Sequence, residues 1–159
     1  MTKPTLAVFV DVQNIYYTTK QAFGGAFNYR GFWQNLEQKY DIKFAFAYAI
    51  DSQNDGQHKF QKALRHIGFD VKLKPYIQRS DGSAKGDWDV GITIDVMQYA
   101  SQVDNVMLLS GDGDFDRLML HIRHAFEVKT FVVAVEQLTA DGLIRSCDQF
   151  SPITQHDLI

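Results

Sequence analysis

An apolar run that breaks off into glycines and carboxylates constrains this chain more than any other stretch. It reads Val106-Met107-Leu108-Leu109-Ser110-Gly111-Asp112-Gly113-Asp114-Phe115-Asp116. The apolar part has the length of a fully buried strand, and residues 117–126 read as a helix. The glycines permit a tight turn and a close backbone approach between the two. The carboxylates therefore fall where a strand hands over to a helix. In open α/β sheets ligands bind at that edge. Clustered carboxylates repel one another, so such a group commonly awaits a cation.

The rest of the chain supplies matching elements. Leu6-Ala7-Val8-Phe9-Val10 is a continuous apolar run ending in Asp11, as expected of a central parallel strand. Asn14 is expected to open a helix over residues 15–23, stopped by Gly24-Gly25. Asn28 can cap a second helix reaching Tyr40, with Phe32, Leu36 and Tyr40 at helical spacing. Residues 43–50 read as a second strand, ending in Asp51. Turn chemistry follows in Gln53-Asn54-Asp55-Gly56. Residues 58–67 form a helix that Gly68 ends. A third strand is expected over residues 69–76, with Val71 and Leu73 inward; outward Lys72 and Lys74, with Pro75, suit a sheet edge.

Residues 78–85 are polar and read as a loop. Residues 87–102 form a helix that is apolar nearly all round, through Trp88, Val90, Ile92, Ile94, Val96, Met97 and Tyr99. Such a helix is expected to be covered on more than one side. A buried strand over 128–135 and a short helix over 140–147 complete the pattern, and the tail from Phe150 has no clear pattern. Strands alternating with helices predict an α/β domain with a mostly parallel sheet and right-handed crossovers. With 159 residues, the chain has the length of one domain.

Composition narrows the function. No run of apolar residues is long enough for a membrane span. No signal peptide is recognised ahead of the first strand. The single cysteine, Cys147, leaves no disulfide framework or cysteine-rich zinc site. These features suggest a cytoplasmic protein. The net charge of −3 argues against coating nucleic acid by charge alone, but an acidic metal site can coexist with a basic rim.

Asp11, Asp89, Asp112 and Asp114 are the carboxylates that strand ends and helix starts can bring together. Oxygen ligands suit Mg²⁺ and Mn²⁺, and such an ion suits phosphodiester hydrolysis. Each residue also has a plainer reading. Asp112 and Asp114 suit a turn and a helix cap, Asp89 suits a helix N-terminus, and Asp11 can simply end a strand. Asn14 is more often a cap than a ligand. Asp95 points away from the Asp89 direction, and pairing with Lys85 or support of the site from behind suits it. Lys85 suits phosphate contact, neutralisation of the carboxylates, or a solvated loop. Lys59, Lys62, Arg65, Lys72, Lys74, Arg79 and Lys85 can rim a nucleic-acid groove, although charged helix faces are usually just solvated. Tyr16, Tyr17 and Trp88 suit base stacking, but packing is the better expectation for any one of them. The histidines show no metal spacing.

Three motifs carry a family resemblance. Phe9-Val10-Asp11-Val12-Gln13-Asn14 resembles the opening motif of NYN domains of the LabA-like branch. Lys85-Gly86-Asp87-Trp88-Asp89-Val90, with Asp95 following, looks like the family's lysine-to-helix motif, and Ser110-Gly111-Asp112-Gly113-Asp114-Phe115 like its most recognisable segment. They occur in the family's order. The resemblance implies one NYN/PIN-like domain over residues 1–159 with a three-layer α/β/α, Rossmann-like fold. It implies a Mg²⁺- or Mn²⁺-dependent ribonuclease with Asp11, Asp89, Asp112 and Asp114 as catalytic and metal-site residues. Asn14, Lys85 and Ser110 are then the expected substrate-contacting groups, and single-stranded RNA the expected partner, with a homodimer or a regulatory protein as further partners.

Other readings fit less well. An EF-hand loop starting at Asp112 would need glycine where Arg117 stands and glutamate where Arg123 stands. A dinucleotide fingerprint would need a third glycine at Asp116. An aspartyl-nucleophile phosphatase would want an acid at Gln13, and a toprim enzyme a glutamate on the first strand. The serious alternative is an RNA-binding or regulatory module that keeps the fold with little turnover.

Overall fold

The computed structural model describes residues 2–51, 54–75, 77–78, 84–85 and 88–159, with backbone alone for 75, 77–78 and 84–85. Strand β1 (Thr5–Asp11) leads into helix α1 (Val12–Phe23) and α2 (Tyr29–Lys39). Strand β2 (Asp41–Asp51), helix α3 (Asp55–Ile67) and strand β3 (Asp70–Pro75) follow. Next come the short strands β4 (Ile77–Gln78) and β5 (Ala84–Lys85), then α4 (Asp89–Tyr99) and β6 (Asn105–Leu109). Helix α5 (Asp116–Phe126), strand β7 (Lys129–Ala134), α6 (Asp141–Ser146) and β8 (Gln149–Pro152) complete the order.

Six parallel strands form the central sheet in the order β3-β2-β1-β6-β7-β8. Successive strand residues point to opposite faces, and β1 divides accordingly. Leu6, Val8 and Val10 pack with Ile15 of α1, Leu36 of α2 and Leu64 of α3. Ala7 and Phe9 pack with Ile92 and Val96 of α4, Met119 and Ile122 of α5 and Leu143 of α6. The result is three layers, α/β/α, with a core on each side of the sheet. Leu6 to Val10 and Val106, Leu108 and Leu109 are all fully buried. Each such large side chain contributes about 1.5–3 kcal/mol of burial free energy, which explains why the two central strands read as unbroken apolar runs.

The chain winds outward from β1 in one direction through α1, α2 and α3, and from β6 in the other through α5 and α6. The winding reverses between β1 and β6, which are hydrogen-bonded neighbours with Val10 opposite Leu109. In doubly wound sheets this reversal opens a crevice at the carboxyl edge. Asp11 and Ser110 are the next residues on the two strands.

Several expectations are corrected. The tail is not patternless: β8 extends the sheet parallel to β7. Residues 77–78 and 84–85 pair as an antiparallel ribbon where a polar loop was expected; residues 79–83 lie outside the described residues. The third helix begins at Asp55, because Asn54 caps it through bonds to the Gly56 and Gln57 N–H groups. Among the described residues, helix α4 is covered on one side only. Ile92 and Val96 are buried, whereas Val90 is 72% and Ile94 59% exposed. Lys72 was expected to face outward; its ammonium lies 2.7 Å from Asp95 Oδ2 on α4. It stands opposite Tyr48 in the register, and strand alternation sends both toward α4.

Candidate metal centre

Asp89, Asp112 and Asp114 each offer a carboxylate oxygen within 4.8 Å of the others. Asp89 is the first residue of α4. Asp112 follows β6 and caps the 3-10 turn Gly113–Phe115 by accepting from the Asp114 N–H at 2.9 Å. Asp114 is exposed and the other two are half-buried. The start of α4 thus lies at the edge where β6 ends.

Asp11 lies beside this group and is tied to it. At 9% exposure its carboxylate accepts from the fully buried Ser110 hydroxyl at 3.1 Å. Ser110 Oγ in turn accepts from the Asp112 N–H at 3.2 Å. Ser110 was expected to meet substrate; its hydroxyl is used inside the protein, as a link between the two strand ends. Asp11 also caps α1, accepting from the Asn14 N–H at 3.4 Å. That corrects the expectation of Asn14 as the cap. The Asn14 side chain instead accepts from the Gly111 N–H at 3.0 Å, which bridges α1 to the turn after β6. Burial pushes the Tyr29 phenol well above its usual range, and the Asp11 charge adds to the shift.

Gly111 is required by space. A Cβ there would meet Thr139 Oγ1 at 2.8 Å and the Leu138 carbonyl oxygen at 3.0 Å. The turn after β7 therefore presses directly on the turn after β6.

Two features that hold α4 in place escaped sequence reasoning. Trp88, just ahead of Asp89, donates its indole N–H to the Ala49 carbonyl at 2.8 Å and packs at a tilt against Tyr48, with ring centroids 5.3 Å apart. Two turns along, Asp95 Oδ2 accepts from the Tyr48 hydroxyl at 2.8 Å and from Lys72. Burial, then the bond to Asp95, raises the Tyr48 pKa, so the phenol stays a donor. The signal was a lone aspartate in an apolar helix, but its partners are distant in sequence. The Lys85 side chain and Arg79 lie outside the described residues. Tyr16 and Tyr17, for which packing was the better expectation, are 47% and 59% exposed.

Only carboxylates make up the three-residue group, a donor set for a hard divalent cation. It sits at the winding reversal of a six-stranded parallel sheet. A family model for the NYN domain matches residues 5–154.

The chain belongs to the NYN domain family.

Its relatives agree with the fold. This NYN chain is 29% identical over 153 residues to the low amplitude and bright protein LabA of Synechococcus elongatus, covering 91% of this chain and 81% of that protein. A crystal structure of a Vibrio parahaemolyticus protein of unknown function is 47% identical. It superposes with a TM-score of 0.94 over 99% of this chain and 97% of that one. NYN domains share a PIN-like fold and are generally nucleases. Among the described residues no helix is long and apolar enough to cross a membrane.

Proposed function

We propose that this chain is a metal-dependent ribonuclease that hydrolyses phosphodiester bonds of single-stranded RNA where β1 and β6 end. The observation that carries this reading is the convergence of Asp89, Asp112 and Asp114 within 4.8 Å, at the sheet edge where doubly wound folds bind ligands. These three residues, with Asp11 adjoining, would hold Mg²⁺ or Mn²⁺. When bound, such an ion stabilises charge on a phosphate and lowers the pKa of a coordinated water.

The chain's own groups have distinct tasks in this reading. Asp11, oriented by Ser110, takes the proton of the water that attacks phosphorus, while the bond to the leaving ribose oxygen breaks and that oxygen takes its proton from solvent. Asn14 fixes the Gly111 turn and with it the direction of Asp112. Lys85, which precedes α4 on β5, contacts the phosphate. Trp88 and Asp95 act as positioning residues by holding α4, and so Asp89, against β2 and β3. The domain spans residues 1–159 and works in the cytoplasm.

The test is cleavage of end-labelled single-stranded RNA in Mn²⁺ and in Mg²⁺, with EDTA and an Asp112→Asn variant alongside. Asparagine keeps the acceptor that caps the 3-10 turn, so circular dichroism should match wild type. Metal-dependent cleavage that the variant loses by at least about a hundredfold supports the reading. Cleavage that survives the substitution places the chemistry elsewhere. Metal binding without cleavage of diverse RNAs favours an RNA-binding or regulatory module.

A further inference from the structure

An apolar cavity of about 400 Å³ opens next to the acidic centre, on the α1 and α3 side of the sheet edge. Its walls include Val12, Ala49 and Phe60, and Tyr16 and Tyr17 line it as well. The volume falls in the range of small-molecule sites, which combine apolar walls with a few polar groups. Gln13 and Gln57 are those groups here, each amide offering both a donor and an acceptor.

The two tyrosines are the unusual feature. They are exposed, and their rings meet edge to face with centroids 5.2 Å apart. Lys20 Nζ lies 5.5 Å from the Tyr16 ring centre and 3.4 Å from its hydroxyl. Beside the rim of the cavity, aromatic surfaces therefore stand next to a positive charge. Single-stranded nucleic acid is gripped by that pairing, with bases stacked on aromatic rings and cations tracking the backbone. The cavity also adjoins Asp11 along the chain. Asp11 caps α1, and Val12 and Gln13, the next two residues, line the cavity.

We propose that the cavity bounded by Tyr16 and Tyr17 is a nucleobase subsite. It holds a base of the RNA strand whose backbone crosses the acidic centre, with Gln13 and Gln57 facing the base edge and Lys20 near its phosphate. The strand-crossing part of this assignment rests on the ribonuclease reading; the occupancy by a base does not. A nucleobase suits the cavity better than an apolar protein side chain, because amides and an ammonium accompany the apolar wall.

Fluorescence anisotropy with labelled oligoadenylate and oligouridylate, in EDTA, tests the subsite without turnover. Wild type is expected to bind both oligonucleotides. Tyr16→Ala and Tyr17→Ala are expected to bind about tenfold more weakly, the loss of roughly one stacked base, while Tyr16→Phe and Tyr17→Phe retain affinity. The alanine variants should melt like wild type, since both side chains are exposed. Equal affinity of the alanine variants overturns the proposal, as does absence of binding by wild type to either RNA. Equal affinity together with a change in sedimentation would assign this face to a second copy of the chain. RNA binding that depends on the tyrosines without any cleavage in metal would overturn the ribonuclease reading and leave the base subsite standing.

Discussion

The Asn14 side-chain oxygen accepts a hydrogen bond from the Gly111 backbone N–H at 3.0 Å, across 97 residues of sequence. The bond joins the first turn of α1 to the turn that carries Asp112. It lies beside the Asp11–Ser110 bond at 3.1 Å, so the two central strand ends are fastened twice. Replacing Asn14 by alanine leaves the Gly111 N–H without this acceptor. An unfolding free energy lower by about 1–2 kcal/mol is expected, measured by urea denaturation. RNA cleavage in Mn²⁺ should fall by about tenfold or more as Asp112 loses its fixed direction. An Asn14→Ala enzyme with full stability and full activity would remove the brace from the account.

Asp95 predicts a stability effect without direct chemistry. It accepts from Tyr48 at 2.8 Å and from Lys72 at 2.7 Å. Asp95→Ala strands a buried phenol and a half-buried ammonium, and a loss of about 1–3 kcal/mol is expected. A double-mutant cycle with Lys72→Met should give a coupling of about 1 kcal/mol. Because Asp95 holds the helix that carries Asp89, Mn²⁺ affinity should weaken as well, read by calorimetric titration. Unchanged Mn²⁺ affinity would make Asp95 a structural residue alone.

The carboxylate group should trade stability for ion binding. Asp114 is exposed, and it shares the site with Asp89 and Asp112. Without divalent ions, Asp114→Asn relieves like-charge repulsion and should raise the unfolding free energy by about 0.5 kcal/mol. Millimolar Mn²⁺ should raise the melting temperature of wild type and leave this variant nearly unmoved. A variant that responds to Mn²⁺ as wild type does would exclude Asp114 from the centre.

At the opposite edge of the sheet, Asp104 supplies a pH effect. The Thr5 N–H and hydroxyl each donate to Asp104 Oδ2 at 3.0 Å, and these bonds hold its carboxyl below the usual carboxylate range. A carboxyl depressed on folding adds stability that is present above its unfolded pKa of about 3.9. The contribution disappears as pH falls through the folded value. The melting-temperature gap between wild type and Asp104→Asn should therefore be largest near neutral pH and close under strong acid. A gap that stays constant across that range would assign no ionic part to the Thr5 bonds.

Much of this molecule was legible in its amino-acid order. Unbroken apolar runs ending at Val10 and Leu109 marked the central parallel strands, because a strand buried on both faces strongly favours apolar side chains. Glycine and aspartate after β6 marked the turn, and strand ends and helix starts marked the candidate carboxylates. These signals are local: they depend on solvent exclusion and backbone sterics within a few residues.

Other features depended on contacts between distant segments. That Asp89 joins Asp112 and Asp114 follows from where the chain sets α4, which Trp88 and Asp95 pin to β2 and β3. The apolar face of α4 at Val90 and Ile94 reads as core in sequence, yet no element of the described chain covers it. The inward turn of Lys72, the use of Ser110 as a link and the exposure of Tyr16 and Tyr17 were equally hidden. Local pattern states which residues can be buried or charged. Only tertiary packing decides which partner each one meets, because the free energy of those pairings belongs to segments that sequence order keeps far apart.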